Sequence, residues 1–260
     1  MLKRWKRSWR ARRLKEETDR YNQTLSSEAS VGTGRCLYTV PAGKDGKPWV
    51  MKAIERFGHD QFDYIIFAYD DAPFDEPIFH KCRIIREKGG RYHFLRKYIT
   101  PEVCRDYDYV FHWCDDIDIV DFDPQAFVRI MKANHLQMAQ PALTLDSHLS
   151  WSVTRQDKGA RVGRYVDFVE IMIPVFSQEA WVTFWHWIKA DQTQWGWGYD
   201  MFARSACGLT NLGIVDCQPV RHFRPIKVRD SQNPEFNIPL IMKKHAPYKP
   251  AQGVAYGFLR

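Results

Sequence analysis

The stretch that decides the fold class reads YVFHWCDDID and occupies residues 109–118. Its first half is largely apolar and aromatic, as in a buried strand, and its second half holds three carboxylates within four positions. An earlier run, YIIFAY at 64–69, leads in the same way into Asp70 and Asp71. Short apolar runs that alternate with helical patterns predict an α/β fold built on a central sheet.

Further elements extend this pattern on both sides of the quoted stretch. The spacing of apolar residues predicts a helix over 78–85, and Asp123 before a proline predicts the start of another. A long apolar run predicts a strand over 169–176, with Ser177 capping the helix that follows, and a short strand is expected at 213–216. We therefore expect one α/β domain with a central mixed, mainly parallel sheet flanked by helices.

The formal net charge of +7 comes from the start of the chain rather than from its body. Residues 1–15 contain eight of the 38 basic side chains and no acidic one, which leaves 30 basic against 31 acidic residues. A body with balanced charge argues against a nucleic-acid-binding protein. The basic start, which includes Trp5 and Trp9, is either a solvated helix or a site of peripheral contact with an anionic membrane.

No apolar run is long enough to span a bilayer, and the N-terminus lacks the apolar core of a signal peptide. The six cysteines lie scattered without CxxC spacing, which predicts free thiols in a reducing compartment. We expect a cytoplasmic protein, with or without peripheral membrane contact. It divides into a basic N-terminal extension at 1–30, a catalytic domain at 31–230 and a C-terminal wrapping segment at 231–260.

Asp115, Asp116 and Asp118 form an acidic cluster at the exit of the quoted strand. Their mutual repulsion requires a counter-charge, which Mn²⁺ or Mg²⁺ supplies while leaving positions for phosphate oxygens and water. Open α/β sheets also bind ligands at the edge where their strands end. The cluster therefore predicts a metal-bridged diphosphate, or else an exposed acidic turn. His222, after a later strand, is a candidate ligand beside Asp116 and Asp118, although a single histidine is more often structural.

A second interpretation takes Asp116 and Asp118 as the nucleophile and the acid/base of a haloacid-dehalogenase-like phosphatase. Such enzymes carry this motif on their first core strand, followed by a later lysine and a paired acidic motif. Here a strand precedes the motif and no Asp-Asp pair follows it. The phosphatase is therefore the less favoured interpretation.

Other side chains are candidates for the remaining parts of a nucleotide-diphosphate site. The end of the first strand offers the base and ribose three predicted contacts, Phe67, Tyr69 and Asp70. The cations that precede the acidic cluster, and could contact the phosphates or simply face solvent, are Arg91, Arg96 and Lys97.

The loop WGWGYD, residues 195–200, combines two aromatic rings that stack well on sugars with a terminal carboxylate. An acceptor hydroxyl needs a general base within hydrogen-bond reach. Asp200 is the first candidate for this base and Glu170 is the second. The predicted acceptor contacts are Trp195, Trp197 and Gly198.

Taken together and in this order, several stretches resemble the family called domain of unknown function 707, which is itself similar to GT-A glycosyltransferases. The segments that carry the resemblance are 62–70, 107–118, 140–143, 168–177, 180–181, 195–200 and 213–216. The resemblance covers roughly residues 60–225. It is therefore far more specific than any single motif.

The resemblance implies a GT-A-like domain in which the loop ending at Asp200 faces the acceptor and His222 binds the metal. The family pattern has a tryptophan followed by three acidic residues, whereas Cys114 follows Trp113 here. Either Asp116 remains the main metal ligand, or the working pair has moved to Asp116 and Asp118.

We therefore expect a metal-dependent glycosyltransferase that moves a hexose, or a pentose such as xylose, from a nucleotide sugar to a hydroxyl of a glycan acceptor. UDP is the expected nucleotide because it is the most frequent one. In the inverting version, Asp200 deprotonates the acceptor. The alternative is a non-catalytic module that binds carbohydrate or nucleotide, which Cys114 favours.

Overall fold

The computed structural model describes residues 2–24, 34–119, 121–149, 151–225 and 237–260. Its helices are α1 (Leu2–Thr24), α2 (Lys47–Phe57), α3 (Arg91–Tyr98), α4 (Pro124–Ala133), α5 (Gln178–Ile188), α6 (Tyr199–Cys207) and α7 (Ile238–Lys244). Its strands are β1 (Cys36–Ala42), β2 (Phe62–Ala68), β3 (Arg83–Arg86), β4 (Tyr109–His112), β5 (Ile117–Asp118), β6 (Met138–Leu143), β7 (Arg164–Val166), β8 (Val175–Ser177), β9 (Leu212–His222) and β10 (Ala255–Phe258).

The described residues form a ten-stranded sheet, in which nine strands follow the order β10-β7-β9-β6-β8-β4-β1-β2-β3 and β5 pairs with β9 off this path. The β3-β2-β1-β4 half is parallel, and β9 runs parallel to β6. Among these nine strands of the described residues, β7 and β8 alone run against the others. The prediction of a mixed, mainly parallel sheet in an α/β domain is therefore confirmed.

The hydrophobic core lies on both faces of the sheet because successive strand residues point to opposite sides. On one face, Val40 and Ile66 belong to a cluster that includes residues of α2 and α4. On the other face, Leu37 and Phe67 belong to a cluster that includes residues of α3, α5 and α6. Helices thus cover both sides of the parallel half, as the sequence predicts.

Two helix starts are confirmed in detail. Asp123 accepts hydrogen bonds from the backbone N–H groups of Gln125 and Ala126, both at 2.9 Å, and α4 follows. Ser177 accepts one from the backbone of Ala180 at 3.3 Å, and α5 follows. These side chains satisfy N–H groups that have no partner inside the helix.

The helix predicted over 78–85 is wrong. A single 3₁₀ turn at Pro77–Phe79 is followed by the edge strand β3, in which Ile84 and Ile85 pair with β2. Pairing of the segment Arg83–Arg86 with β2 prevails over the helix-like spacing of Ile78, Cys82 and Ile85. The strand predicted over 169–176 is also mostly wrong, because only its end lies in β8 and the rest is a buried loop. The strand predicted at 213–216 is part of the longer β9.

Both ends of the chain pack on the domain. On α1, Arg10 forms an ion pair with the fully buried Asp167, and the Thr18 hydroxyl lies 3.1 Å from the Tyr256 hydroxyl. Near the C-terminus, β10 adds a strand to β7. The segment boundaries predicted near residues 30 and 230 lie outside the described residues.

All six cysteines are free. Within the described chain, no helix has the length and apolar character needed to cross a bilayer.

Candidate active site

Three strands bring the predicted site residues to one edge of the sheet. β1, β4 and β9 run in the same direction, so their carboxyl ends meet there, next to the point where the strand order reverses at β1. The chain then crosses the edge as β5, in which Ile117 pairs with His222 of β9. This short antiparallel pairing places the acidic cluster beside a histidine that is more than 100 residues away in the sequence.

Asp115 is enclosed by the loop that follows β1. Its carboxylate accepts hydrogen bonds from the Tyr69 hydroxyl at 3.0 Å and from the backbone N–H of Gly43 at 3.4 Å. A Cβ atom at Gly46 would lie 1.8 Å from this carboxylate, so only glycine allows the approach. Burial and the charge of Asp116 raise the pKa of Asp115 to about 6, against the opposing effect of Arg224 at 3.8 Å.

Asp116 and His222 face each other with Oδ2 and Nε2 3.2 Å apart. The His222 Nδ1 lies 2.8 Å from the His148 carbonyl oxygen, which only accepts, so Nδ1 carries the hydrogen. Nε2 therefore has two possible states beside the Asp116 carboxylate. It either carries a proton and donates to the carboxylate, or it is a second acceptor, and then a cation is needed between the two groups. Burial disfavours protonation of His222, but the hydrogen bond to Asp116 and its charge raise the pKa above its ordinary value.

The other oxygen of Asp116 is buried and has no hydrogen-bond partner among the described residues. A buried carboxylate oxygen without a partner is costly unless a ligand satisfies it. Asp118 differs, because the Lys52 ammonium lies 2.6 Å from its carboxylate. No group of three or more His, Cys, Asp or Glu side chains in the described part of the chain is placed to hold a metal ion.

Cys114 occupies the position at which the resembling family pattern has an acid. The buried Arg91 donates from Nη1 to its sulfur at 3.0 Å and to the Met172 carbonyl oxygen at 2.6 Å. Burial raises the pKa of the Cys114 thiol to about 12, so the thiol stays neutral. The guanidinium of Arg91 thus places a positive charge beside the acidic cluster, where it opposes the rise in the pKa of Cys114.

Asp200 lies in the first turn of α6, after Gly198, which adopts a φ of 91°. Its carboxylate is buried and accepts backbone N–H groups from Met201 and Ile171. Burial first, and the charge of Glu170 second, raise the pKa of Asp200 to about 7. Glu170 is buried too, and its charge also affects the pKa of Cys114 and His222, so both predicted catalytic carboxylates belong to the same region.

Some predicted contacts lie elsewhere in the structure. Phe67 is fully buried and stacks on Phe94 with ring centroids 4.9 Å apart, because it points to the α3 side of β2. Arg96 donates to the Thr193 carbonyl oxygen, and Lys97 forms an ion pair with Glu87. The structure therefore gives these three side chains partners away from the acidic cluster.

The predicted residues Tyr69 and Asp70 do lie at the edge of the sheet. Tyr69 contacts Asp115, and Asp70 is an exposed residue that accepts the backbone N–H of Lys44 at 2.8 Å. Asp70 and Lys44 line a cavity of about 540 Å³ together with Lys47. Of the predicted acceptor contacts, Trp195 is exposed, Trp197 is half-buried and Gly198 is buried.

Three parts of the site were not predicted from the sequence: Lys52, Arg224 and the loop at 43–46. The loop follows a buried strand and reads GKDG, a glycine-rich and polar signal that could have been recognised. Arg224 follows the end of β9 by two residues, which is a weaker signal. Nothing in the sequence distinguishes Lys52 from the other charged residues of α2.

Comparison with solved structures supports the fold. The crystal structure of GalNAc-T7 with UDP, GalNAc and Mn²⁺ is similar with a TM-score of 0.52 and 10% identity, over 74% of this chain and 44% of that chain. Two others match less well. A197 from STIV has a TM-score of 0.46 and 13% identity, over 73% and 86% of the two chains. TarS 1–349 from S. aureus has a TM-score of 0.44 and 7% identity, over 72% of this chain and 59% of that chain.

This likeness extends to the GT-A-like fold alone, given the low identity, and the chain spans less than two thirds of the GalNAc-T7 and TarS chains. No curated protein matches the sequence. A family model described as "Protein of unknown function (DUF707)" matches residues 9–245, which is nearly the whole chain. The chain therefore belongs to the DUF707 family.

Proposed function

We propose that this protein is a metal-dependent glycosyltransferase. It transfers a hexose, or a pentose such as xylose, from a UDP-linked donor to a hydroxyl of a glycan acceptor. Asp116 and His222 hold Mn²⁺ or Mg²⁺ at the carboxyl edge of the sheet. Asp118 is the predicted third ligand, and its carboxylate forms an ion pair with Lys52 in the structure.

The contact between Asp116 and His222 carries this proposal. Once Nε2 has lost its proton, it and a carboxylate oxygen 3.2 Å away attract a cation, and the other oxygen of Asp116, which has no partner among the described residues, offers that cation another lone pair. The hydrogen bond from Nδ1 to a carbonyl oxygen is the usual way in which proteins orient a metal-binding histidine. Two protein ligands suit an ion that takes its other ligands from diphosphate and water, and such an ion neutralises the charge of the departing diphosphate.

Asp200 is the proposed general base. A carboxylate with a pKa of about 7 removes a proton better than one with an ordinary pKa, and still has a large ionised fraction at neutral pH. The backbone N–H groups of Met201 and Ile171 fix its direction. Glu170 acts through its charge, which maintains the basicity of Asp200.

Two tests address donor and metal. In a thermal-shift screen of nucleotide sugars with and without Mn²⁺, a donor at a hundred times its Kd should add about 2.7 kcal/mol of stability. Asp116→Asn should remove the part of the shift that depends on Mn²⁺. A shift that does not respond to Mn²⁺ or to Asp116→Asn would contradict the metal assignment.

Transfer is then measured with the donor that the screen identifies. Asp200→Asn should keep the donor shift and lose transfer by about 10²-fold or more, the contribution expected of a general base. Asp60→Asn, at an exposed turn, is the matched control and should behave like the wild type. Donor binding without turnover would favour the non-catalytic module, and phosphate release from a phosphoester that Asp116→Asn abolishes would favour the phosphatase.

A further inference from the structure

The C-terminal helix α7 exposes three large apolar side chains within five residues. It docks through Ile241, which lies so close to Gly198 that a Cβ atom there would be 2.3 Å from Ile241 Cγ2. Ile238, Leu240 and Met242 are exposed, Leu240 by 59% of its surface. Adjacent exposed apolar side chains of this kind mark a surface that binds a partner.

The segment that carries this surface has basic side chains and no acidic ones. Residues 237–260 contain no aspartate or glutamate. Lys243 and Lys249 are exposed beside the apolar side chains, and the exposed Tyr248 follows in the next turn of the chain. Apolar side chains flanked by lysine and an interfacial aromatic ring are typical of segments that lie on anionic lipid.

The basic start of the chain lies beside this segment. Arg10 of α1 donates to the Pro250 carbonyl oxygen at 3.4 Å, while its ion pair with Asp167 fixes the helix. Trp9 and Arg12 are exposed on α1, Trp9 by 56% of its surface. Arg13 is exposed as well, so α1, which contacts the segment at Pro250, carries further positive charge.

We propose that the exposed face of residues 238–249 is a docking surface for an anionic lipid bilayer, with α1 contributing additional positive charge. The exposed leucine and methionine favour a bilayer over a nucleic acid, because phosphates offer them no apolar partner. α7 is attached to both ends of the loop at 191–198, through the Lys244–Asp191 ion pair and the Ile241–Gly198 contact. The bilayer would therefore face the acceptor side of the site, a consequence that rests on the proposed function.

The test is co-sedimentation of the full chain with vesicles of phosphatidylcholine alone, or with a third of the lipid replaced by phosphatidylglycerol. We expect binding to the anionic vesicles that weakens with salt, and little binding to the neutral ones. The double variant Leu240→Glu with Met242→Glu should lower the partition coefficient about tenfold or more, because two inserted side chains become charged. Lys243→Glu should lower it about fivefold or more, the effect of one cation near the surface.

Leu145→Glu is the matched control, since Leu145 is 54% exposed on a different loop and should leave partitioning unchanged. Urea unfolding of each variant shows whether its fold is intact. Equal partitioning of wild type and the 240/242 variant, or binding that only Trp9 and Arg12 substitutions reduce, would overturn the proposal. The proposal would also be overturned if the wild type did not bind vesicles but formed a concentration-dependent dimer that the 240/242 variant abolished. Because no step requires turnover, the result is independent of the proposed enzymatic activity.

Discussion

Replacing Asp200 by asparagine should stabilise the protein in a way that depends on pH. The ordinary pKa of an aspartate is 3.8, and burial together with the charge of Glu170 raises the pKa of Asp200 to about 7. Between these values, the unfolded chain has lost its proton while the folded protein keeps it. The free energy of unfolding of the wild type therefore falls as pH rises through this window, and asparagine, which does not titrate, avoids the loss.

The size of this effect follows from the two pKa values. One pKa unit corresponds to about 1.4 kcal/mol, so the penalty for ionising Asp200 is about 1.7 kcal/mol at pH 5 and about 4.3 kcal/mol at pH 8. The stability difference between Asp200→Asn and the wild type should thus widen by about 2.6 kcal/mol over this range. Any constant cost of the weaker hydrogen bonds to Met201 and Ile171 cancels in this comparison.

The assay is urea unfolding followed by tryptophan fluorescence, at pH 5, 6, 7 and 8 and in EDTA so that no divalent ion contributes. Asp60→Asn, at an exposed position, should follow the wild-type pH dependence. If the stability difference between Asp200→Asn and the wild type is the same at all four pH values, Asp200 does not carry a raised pKa. Its assignment as a base that works near neutral pH would then lose its physical support.

Three further predictions concern the site and the parts of the chain that cover it. The rate of transfer by the wild type should rise with pH to a plateau above about 7. Glu170→Gln should move the midpoint of this rise to lower pH, because it removes a negative charge next to Asp200. Complete loss of transfer in Glu170→Gln would instead make Glu170 the base. Gly198→Ala should lower the free energy of unfolding by about 3 kcal/mol because of the φ of 91° and the contact with Ile241, and by clearly less in an Ile241→Ala background. Equal losses in the two backgrounds of this double-mutant cycle would mean that α7 does not lie on this loop. Arg10→Ala should lower the free energy of unfolding by about 2 kcal/mol because it leaves the fully buried Asp167 without its cation. Arg13→Ala breaks only an exposed ion pair with Glu17 and should lower it by about 0.5 kcal/mol or less. Similar unfolding midpoints for the two variants would mean that α1 is not part of the folded domain.

Two strands of the parallel half, β2 and β4, and the position of the acidic cluster could be predicted from the sequence, whereas β1 was not predicted. β2 and β4 are largely apolar, and an acidic turn follows each of them, so local pattern alone places carboxylates at the carboxyl edge. The starts of α4 and α5 are just as local, because a capping side chain acts on N–H groups two or three residues away. Sheet pairing is not local, and for that reason β3 could not be recognised from the spacing of its isoleucines.

Local sequence patterns were enough to predict the fold class, the acidic cluster and the carboxylate at the end of the glycine-rich loop, because each depends on residues close together in the chain. The partner that each carboxylate meets depends instead on the packing of the whole domain. The pairing of β5 with β9 brings His222 to Asp116, and α2 brings Lys52 to Asp118. The burial that raises the pKa of Asp200 likewise depends on the packing of elements far apart in sequence, which no local pattern encodes.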